Sequence, residues 1–211
     1  MATLLHVQAT ARGERSYSLR VARAFVESYL DLHSGDVVKT LDLAGKNSLP
    51  EFDGLAVAGK YRVLHGESHT AEEAAAWKAV EVTIEDFKRA DKLVISSPMW
   101  NFGIPYRLKQ FFDVIVQPGY AFSYSPDEGY KGLVTGRPAL LILARGGEYV
   151  PGTDAAAYDL QRPYLELILR FIGFTEIDAV IVEPTLQGGA EVAAQKLEGA
   201  IAEARTKARD F

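Results

Sequence analysis

The chain has 211 residues, with 23 basic against 28 acidic side chains and a net charge of −5. Hydrophobic residues make up 48% and charged residues 24%, which excludes a wholly disordered chain and leaves enough apolar material for a core without staples. Cysteine is absent, so disulfide scaffolds, thiolate metal centres, iron–sulfur clusters and a cysteine nucleophile are excluded together.

The acidic balance does not suit a binder of nucleic-acid backbone, which needs a basic surface. The one basic cluster, Arg205, Lys207 and Arg209, is interleaved with Glu203 and Asp210 and reads as a solvated helix end. No apolar run reaches the roughly 18 residues of a membrane span. Met1–Gln8 lacks the basic start and long apolar stretch of a signal peptide. The expectation is a cytoplasmic protein, with no membrane insertion and no nucleic-acid partner.

In chain order, Thr3–Gln8 reads as a short strand. Leu19, Ala22, Phe25, Val26, Tyr29 and Leu30 then form the stripe of an amphipathic helix. Val37–Leu43 is a second strand candidate, and Asn47–His69 reads as an irregular insertion. Thr70-Ala71-Glu72-Glu73 matches a capping box that opens a helix to about Arg89. Lys92–Ser97 is a continuous apolar strand of the kind covered on both faces. Pro105 begins a helix running to about Val116. Tyr120–Tyr124 and Pro126–Gly132 suggest a hairpin. Ala139–Leu143 is a strand, Tyr158–Phe171 a helix stopped at Gly173, Ile177–Val182 a strand, and Gly189–Ala208 a final helix. Alternating strands and helices predict one domain over 1–211, an α/β fold with a five-stranded parallel sheet, helices on both faces and a β-hairpin insertion.

Ligands of such sheets bind beyond the C-terminal strand ends. Three loops there have unusual compositions. Thr10-Ala11-Arg12-Gly13-Glu14-Arg15-Ser16-Tyr17-Ser18 places hydroxyls at a helix N-terminus, where free N–H groups attract an anion; the plainer alternative is that Ser16 is only an N-cap. Ser96-Ser97-Pro98-Met99-Trp100-Asn101-Phe102-Gly103-Ile104-Pro105 puts two aromatics and a methionine where polar residues are usual, which suits a flat ring or packing onto the hairpin. Ala144-Arg145-Gly146-Gly147-Glu148-Tyr149 offers paired glycines for close backbone approach, or an ordinary turn. Gly54-Leu55-Ala56-Val57-Ala58-Gly59-Lys60 has the skeleton of a nucleotide-binding P-loop. Tyr61 follows in place of the small hydroxyl residue, however, and no strand precedes it. His65 and His69 lack a clear third ligand for a metal.

Together the loops resemble those of the FMN-dependent NADH-azoreductases, a branch of the flavodoxin-like NADH:quinone oxidoreductases. The most specific stretch is Pro98-Met99-Trp100-Asn101-Phe102-Gly103-Ile104-Pro105, followed by Leu108-Lys109 and Phe112-Asp113. Gly132-Leu133-Val134-Thr135-Gly136, Arg145-Gly146-Gly147 and Ser16-Tyr17-Ser18 add to it. The resemblance implies a flavodoxin-like homodimer with one tightly but non-covalently bound FMN per subunit near the interface. It implies that Thr10, Ser16, Tyr17 and Ser18 hold the phosphate. Met99, Trp100, Asn101 and Phe102, with Ala144, Arg145, Gly146 and Gly147, would line the isoalloxazine, and Phe102, Tyr124 and Tyr149 would meet substrate. Trp100 stands where tyrosine is usual, Ala144 where a small hydroxyl residue is usual, and Tyr149 where relatives have histidine. The implied activity passes hydride from NADH or NADPH through FMN to quinones and azo compounds in ping-pong order. The cofactor carries the chemistry, so no residue is named as catalytic and none must act as general acid, a role that solvent or the substrate's own groups can fill. The alternatives are a flavodoxin-type electron-transfer protein without pyridine-nucleotide turnover and a binding module that has lost the cofactor.

Overall fold

Continuous apolar runs set the centre of the fold. The computed structural model describes all residues, 1–211. β1 (Thr3–Gln8), β3 (Lys92–Pro98) and β6 (Pro138–Ala144) are almost wholly buried, as strands covered on both faces must be. With β2 (Val37–Asp42) and β7 (Glu176–Val182) at the edges they form a parallel sheet in the order β2-β1-β3-β6-β7. Residue alternation splits the core in two. Leu4, Val94, Leu140 and Val180 pack toward α1 (Tyr17–Leu32) and α6 (Gly189–Lys207). Leu5, Val7, Ile95 and Leu141 pack toward α3 (Ala71–Lys88), α4 (Tyr106–Ile115) and α5 (Arg162–Ile172).

The chain moves outward from β1 to β2, then crosses back to β3, so the sheet's direction of winding reverses between β1 and β3. Helices on either side diverge there and leave a crevice at the C-terminal strand ends. The strand register brings Gln8 beside Ser96 and Pro98 beside Ala144, so the chain segments leaving β1, β3 and β6 emerge at one place.

Two segments differ from the sequence-based reading. Part of 47–69 is a regular helix, α2 (Gly54–His65), capped by the Asp53 carboxylate, which accepts from the Leu55 and Ala56 N–H groups at 3.0 and 3.1 Å. Gly59, which looks like a helix breaker, is where α2 touches α3. A Cβ there would lie 2.6 Å from the Glu73 carbonyl oxygen and 2.8 Å from Trp77 Cβ. The P-loop-like skeleton is thus helical from its first glycine. The second difference is a break before α5. Asp154–Tyr158 forms a separate 3-10 turn, and α5 starts only at Arg162. The Asp159 carboxylate accepts from the Gln161 and Arg162 N–H groups, both at 3.1 Å, and Pro163 follows within the first turn.

The hairpin of β4 (Phe122–Ser125) and β5 (Gly129–Gly132) lies apart from the main sheet. The rings of Phe122 and Tyr130 pack on Phe171 of α5, with centroids 4.8 and 5.6 Å away. No helix is long and apolar enough to cross a membrane.

Candidate functional site

The loop after β1 turns through a short 3-10 segment, Gly13–Arg15, into α1. Ser16 caps that helix, its Oγ accepting from the Leu19 N–H at 3.3 Å. The Ser16 and Ser18 hydroxyls are 3.2 Å apart, and Thr10, Ser16 and Ser18 are all buried. The N–H groups of Tyr17 and Ser18, the first two helical residues, have no acceptor within the chain. Two free donors, three hydroxyls and the positive end of a helix dipole make this corner suited to a phosphate.

The loop after β3 has an unusual shape. Trp100 and Gly103 exchange two backbone hydrogen bonds, each 3.0 Å, across a two-residue turn. The two turn residues, Asn101 and Phe102, have φ of 48° and 68°. This is the geometry of a type I′ turn, for which asparagine is favoured and phenylalanine is not. Strain of this kind costs about 1–3 kcal/mol and persists only where neighbours enforce it. Here the Leu160 N–H donates to the Phe102 carbonyl at 3.0 Å, and the Phe102 ring packs 5.1 Å from that of Tyr158. The result is that Trp100, Asn101 and Phe102 project outward, all exposed, while Met99 is half-buried beneath them.

The loop after β6 starts from Ala144, whose carbonyl accepts from the Met99 N–H at 2.8 Å. That bond joins the second and third loops directly. The Gly146 and Gly147 N–H groups have no acceptor within the chain. A Cβ on Gly146 would lie 3.0 Å from the Leu186 side chain, so this backbone packs where a larger residue would crowd it. The Arg145 side chain is not part of the outward surface. It is buried, with its guanidinium 2.8 Å from Asp159 and 3.3 Å from Glu183. The loop therefore offers backbone donors, not a free charge. Tyr149 lies across that guanidinium, 5.8 Å from its ring centroid.

Beside the first two loops, a cleft of about 130 Å³ is lined by Thr10, Leu43, Trp100, Tyr106 and Arg107, among others. Arg107 donates to the Leu43 carbonyl at 3.0 Å and to Ser48 at 2.9 Å, tying the segment after β2 to α4. Beside the loop after β3 lies an open apolar basin of about 460 Å³ formed by Gly103, Ile104, Leu160, Tyr164 and Leu167 with Pro163 and Lys109. Burial pushes the Tyr164 hydroxyl up from its ordinary range, an effect that Lys109 opposes and Asp113 reinforces. Leu160, Leu167 and Tyr106 are among the most exposed large side chains in the chain.

Thus the segments carrying Thr10, Ser16–Ser18, Met99–Phe102 and Ala144–Gly147 leave neighbouring strands at one end of the sheet. Tyr124 is placed differently: it sits on the hairpin and packs on Tyr130 at 4.9 Å. Sequence reasoning misses Tyr158, Asp159, Leu160 and Gln161, because Tyr158–Phe171 reads as helix throughout. The Asp159-x-x-Arg162-Pro163 pattern, a capping residue followed by a proline, is the signal that marks the break.

The chain matches the family model described as the flavodoxin-like fold over residues 2–208. It is 53% identical over 211 residues, 100% of both chains, to the FMN-dependent NADH:quinone oxidoreductase of Nitratidesulfovibrio vulgaris strain Hildenborough. The azoreductase of Bacillus anthracis strain Sterne superimposes with a TM-score of 0.91 at 31% identity, covering 100% of each chain. An FMN-dependent NADH-azoreductase from the Ames Ancestor strain of that organism, solved in complex with FMN, gives 0.89 at 26% identity over 98% of this chain and 97% of that one. Given a sheet wound in this order and relatives matched from end to end, the chain belongs to the flavodoxin-like family and, within it, to the FMN-dependent NADH:quinone oxidoreductases.

Proposed function

We propose that this protein, over residues 1–211, is one FMN-binding unit that oxidises NADH, or NADPH, and reduces quinones and azo compounds. The observation that carries the reading is the convergence of three loops at the switch point. The loop after β1 presents free N–H groups and buried hydroxyls, and the other two present aromatic side chains and free backbone donors.

Thr10, Ser16, Tyr17 and Ser18 hold the FMN phosphate, with the Tyr17 and Ser18 N–H groups as donors. Met99, Trp100, Asn101 and Phe102 form one wall for the isoalloxazine, and Ala144, Arg145, Gly146 and Gly147 the other. Arg145 serves there through its backbone. The free amides of Gly146 and Gly147 suit an electron-rich ring edge, since preorganised dipoles act strongly in a dry site. When bound, FMN supplies the redox chemistry, taking hydride from the pyridine nucleotide and giving two electrons to the acceptor in ping-pong order. Phe102, Tyr124 and Tyr149 are the aromatic surfaces offered to flat substrates. The exposed Leu160 and Leu167 at the apolar basin, with the exposed Tyr106 at the smaller cleft, support a homodimer with the flavin site near its interface. A cytoplasmic location agrees with the lack of a membrane-length helix and of cysteine.

Anaerobic mixing tests the reading. NADH should bleach the visible flavin band of the FMN-loaded protein, and benzoquinone should restore it. A flavin that stays oxidised under NADH would point instead to an electron-transfer protein.

A further inference from the structure

Arg145 is the largest fully buried side chain in the protein, with a side-chain exposure of 1%. A guanidinium taken so far out of water needs fixed, charged or polar partners on every side. Nη2 lies 2.8 Å from Asp159 Oδ2, Nη1 donates to Glu183 Oε2 at 3.3 Å, and Nε donates to Gln161 Oε1 at 3.2 Å. Each partner reaches onward. Gln161, itself fully buried, donates through Nε2 to the Ser97 carbonyl at 3.4 Å. Glu183 also accepts from the Tyr149 N–H at 3.2 Å. Asp159 caps α5, and the residue after it, Leu160, supplies the N–H that holds the strained Phe102 turn. One side chain is therefore linked, by hydrogen bonds to Gln161 and Glu183 and by an ion pair with Asp159 in which Nη2 lacks hydrogen-bond alignment, to the exits of β3, β6 and β7 and to the start of α5.

We propose that Arg145 is a positioning residue for the ring end of the flavin site: through Asp159, Glu183 and Gln161 it fixes the Gly146–Gly147 amides relative to the Asn101–Phe102 turn. The proposal rests on the FMN reading above. The guanidinium itself is buried and reaches the ring only through the backbone it holds. Lysine can keep a charge between Asp159 and Glu183 but lacks the planar fork that also reaches Gln161. Methionine leaves both carboxylates without a cation.

The test compares FMN with riboflavin, which has the same ring and no phosphate. Wild-type protein, Arg145→Lys, Arg145→Met and Gln161→Met are stripped of flavin, and each is titrated with both ligands by flavin fluorescence. Apoprotein melting temperatures are recorded alongside. Arg145→Met should loosen FMN and riboflavin by the same factor, about tenfold or more, because the loss lies at the ring and not at the phosphate. Arg145→Lys should recover part of that loss. Gln161→Met keeps both ion pairs and should loosen both flavins several-fold, with some loss of apoprotein melting temperature because the buried Arg145 Nε–H and Ser97 carbonyl lose their partner. Should Arg145→Met fail to fold, the other two variants decide the matter by the same ratio. Unchanged affinities with a lowered melting temperature overturn the proposal and leave Arg145 a stabilising residue only. A loss confined to FMN also overturns it. Wild-type protein that binds neither flavin is a different failure, that of the FMN reading itself.

Discussion

The Leu160 N–H donates to the Phe102 carbonyl at 3.0 Å, joining the residue before Gln161 to the second residue of a type I′ turn. Leu160 belongs to the short break between a 3-10 turn and α5, and Phe102 belongs to the loop after β3. The bond, whose N–H is shared with the Tyr158 carbonyl at 3.1 Å, acts with the paired Trp100–Gly103 bonds to hold a bulky residue at a φ of 68°. It also makes the ring wall depend on a distant segment of sequence.

Phe102→Gly separates strain from function. Glycine adopts this φ freely, so stability should hold or rise by up to about 1 kcal/mol. The aromatic surface is lost, so KM for a quinone should rise several-fold. Urea unfolding and steady-state kinetics read the two effects; a stability loss with an unchanged KM would remove Phe102 from the substrate surface.

Ser16 and Ser18 should act on the cofactor's tail. Ser16→Ala removes the N-cap of α1 and should cost about 1 kcal/mol of stability. Combined with Ser18→Ala it should weaken FMN by about tenfold and riboflavin hardly at all. Equal weakening of the two ligands, measured by fluorescence titration, would contradict the phosphate assignment.

Gly59→Ala tests the contact between α2 and α3. The added methyl meets the Glu73 backbone carbonyl, which cannot swing aside as a side-chain tip can. Overpacking of this kind should cost about 1–3 kcal/mol in urea unfolding, against the gain alanine normally brings to a helix. A stabilised variant would mean that the two helices are not closely packed.

His6 should make stability depend on pH. It sits on β1 with Nε2 2.9 Å from Ser96 Oγ, and burial, with help from the Arg23 charge, pushes its imidazole down to about 4. The folded protein keeps it neutral, while the unfolded chain takes up a proton below about pH 6.5. The unfolded state thus binds more protons between these values, so stability falls as pH falls, by on the order of 3 kcal/mol across the window. Below pH about 4 both states are protonated and this contribution stays lost. His6→Gln should flatten that part of the profile, as read by urea midpoints across the window. Matching slopes in the two proteins would contradict it.

Leu167→Glu puts a charge into the apolar basin at a side chain that is 68% exposed in the single chain. In a monomer such a surface change costs no more than about 0.5 kcal/mol. In a homodimer sealed there it should halve the sedimenting mass. An unchanged mass would move the interface elsewhere.

The sheet was legible because its central strands are uninterrupted apolar runs and its helices carry strong stripes or caps, as at Thr70–Glu73. The loops were legible by composition: Trp100, Asn101 and Phe102 in a strand-to-helix turn have little reason to be there unless a surface is being made. Two features were hidden. The composition of Gly54–His65 disguised a helix, since Gly59 serves a neighbour that lies further along the chain. The burial of Arg145 is the second, because its partners, Asp159 and Glu183, lie 14 and 38 residues away and meet it only in three dimensions.

A crystal structure of the FMN complex tests the central claim most directly. The account predicts the phosphate against the Tyr17 and Ser18 N–H groups, with the ring between Met99–Phe102 and Ala144–Gly147. A phosphate bound elsewhere, or a ring that touches neither of those segments, would contradict it.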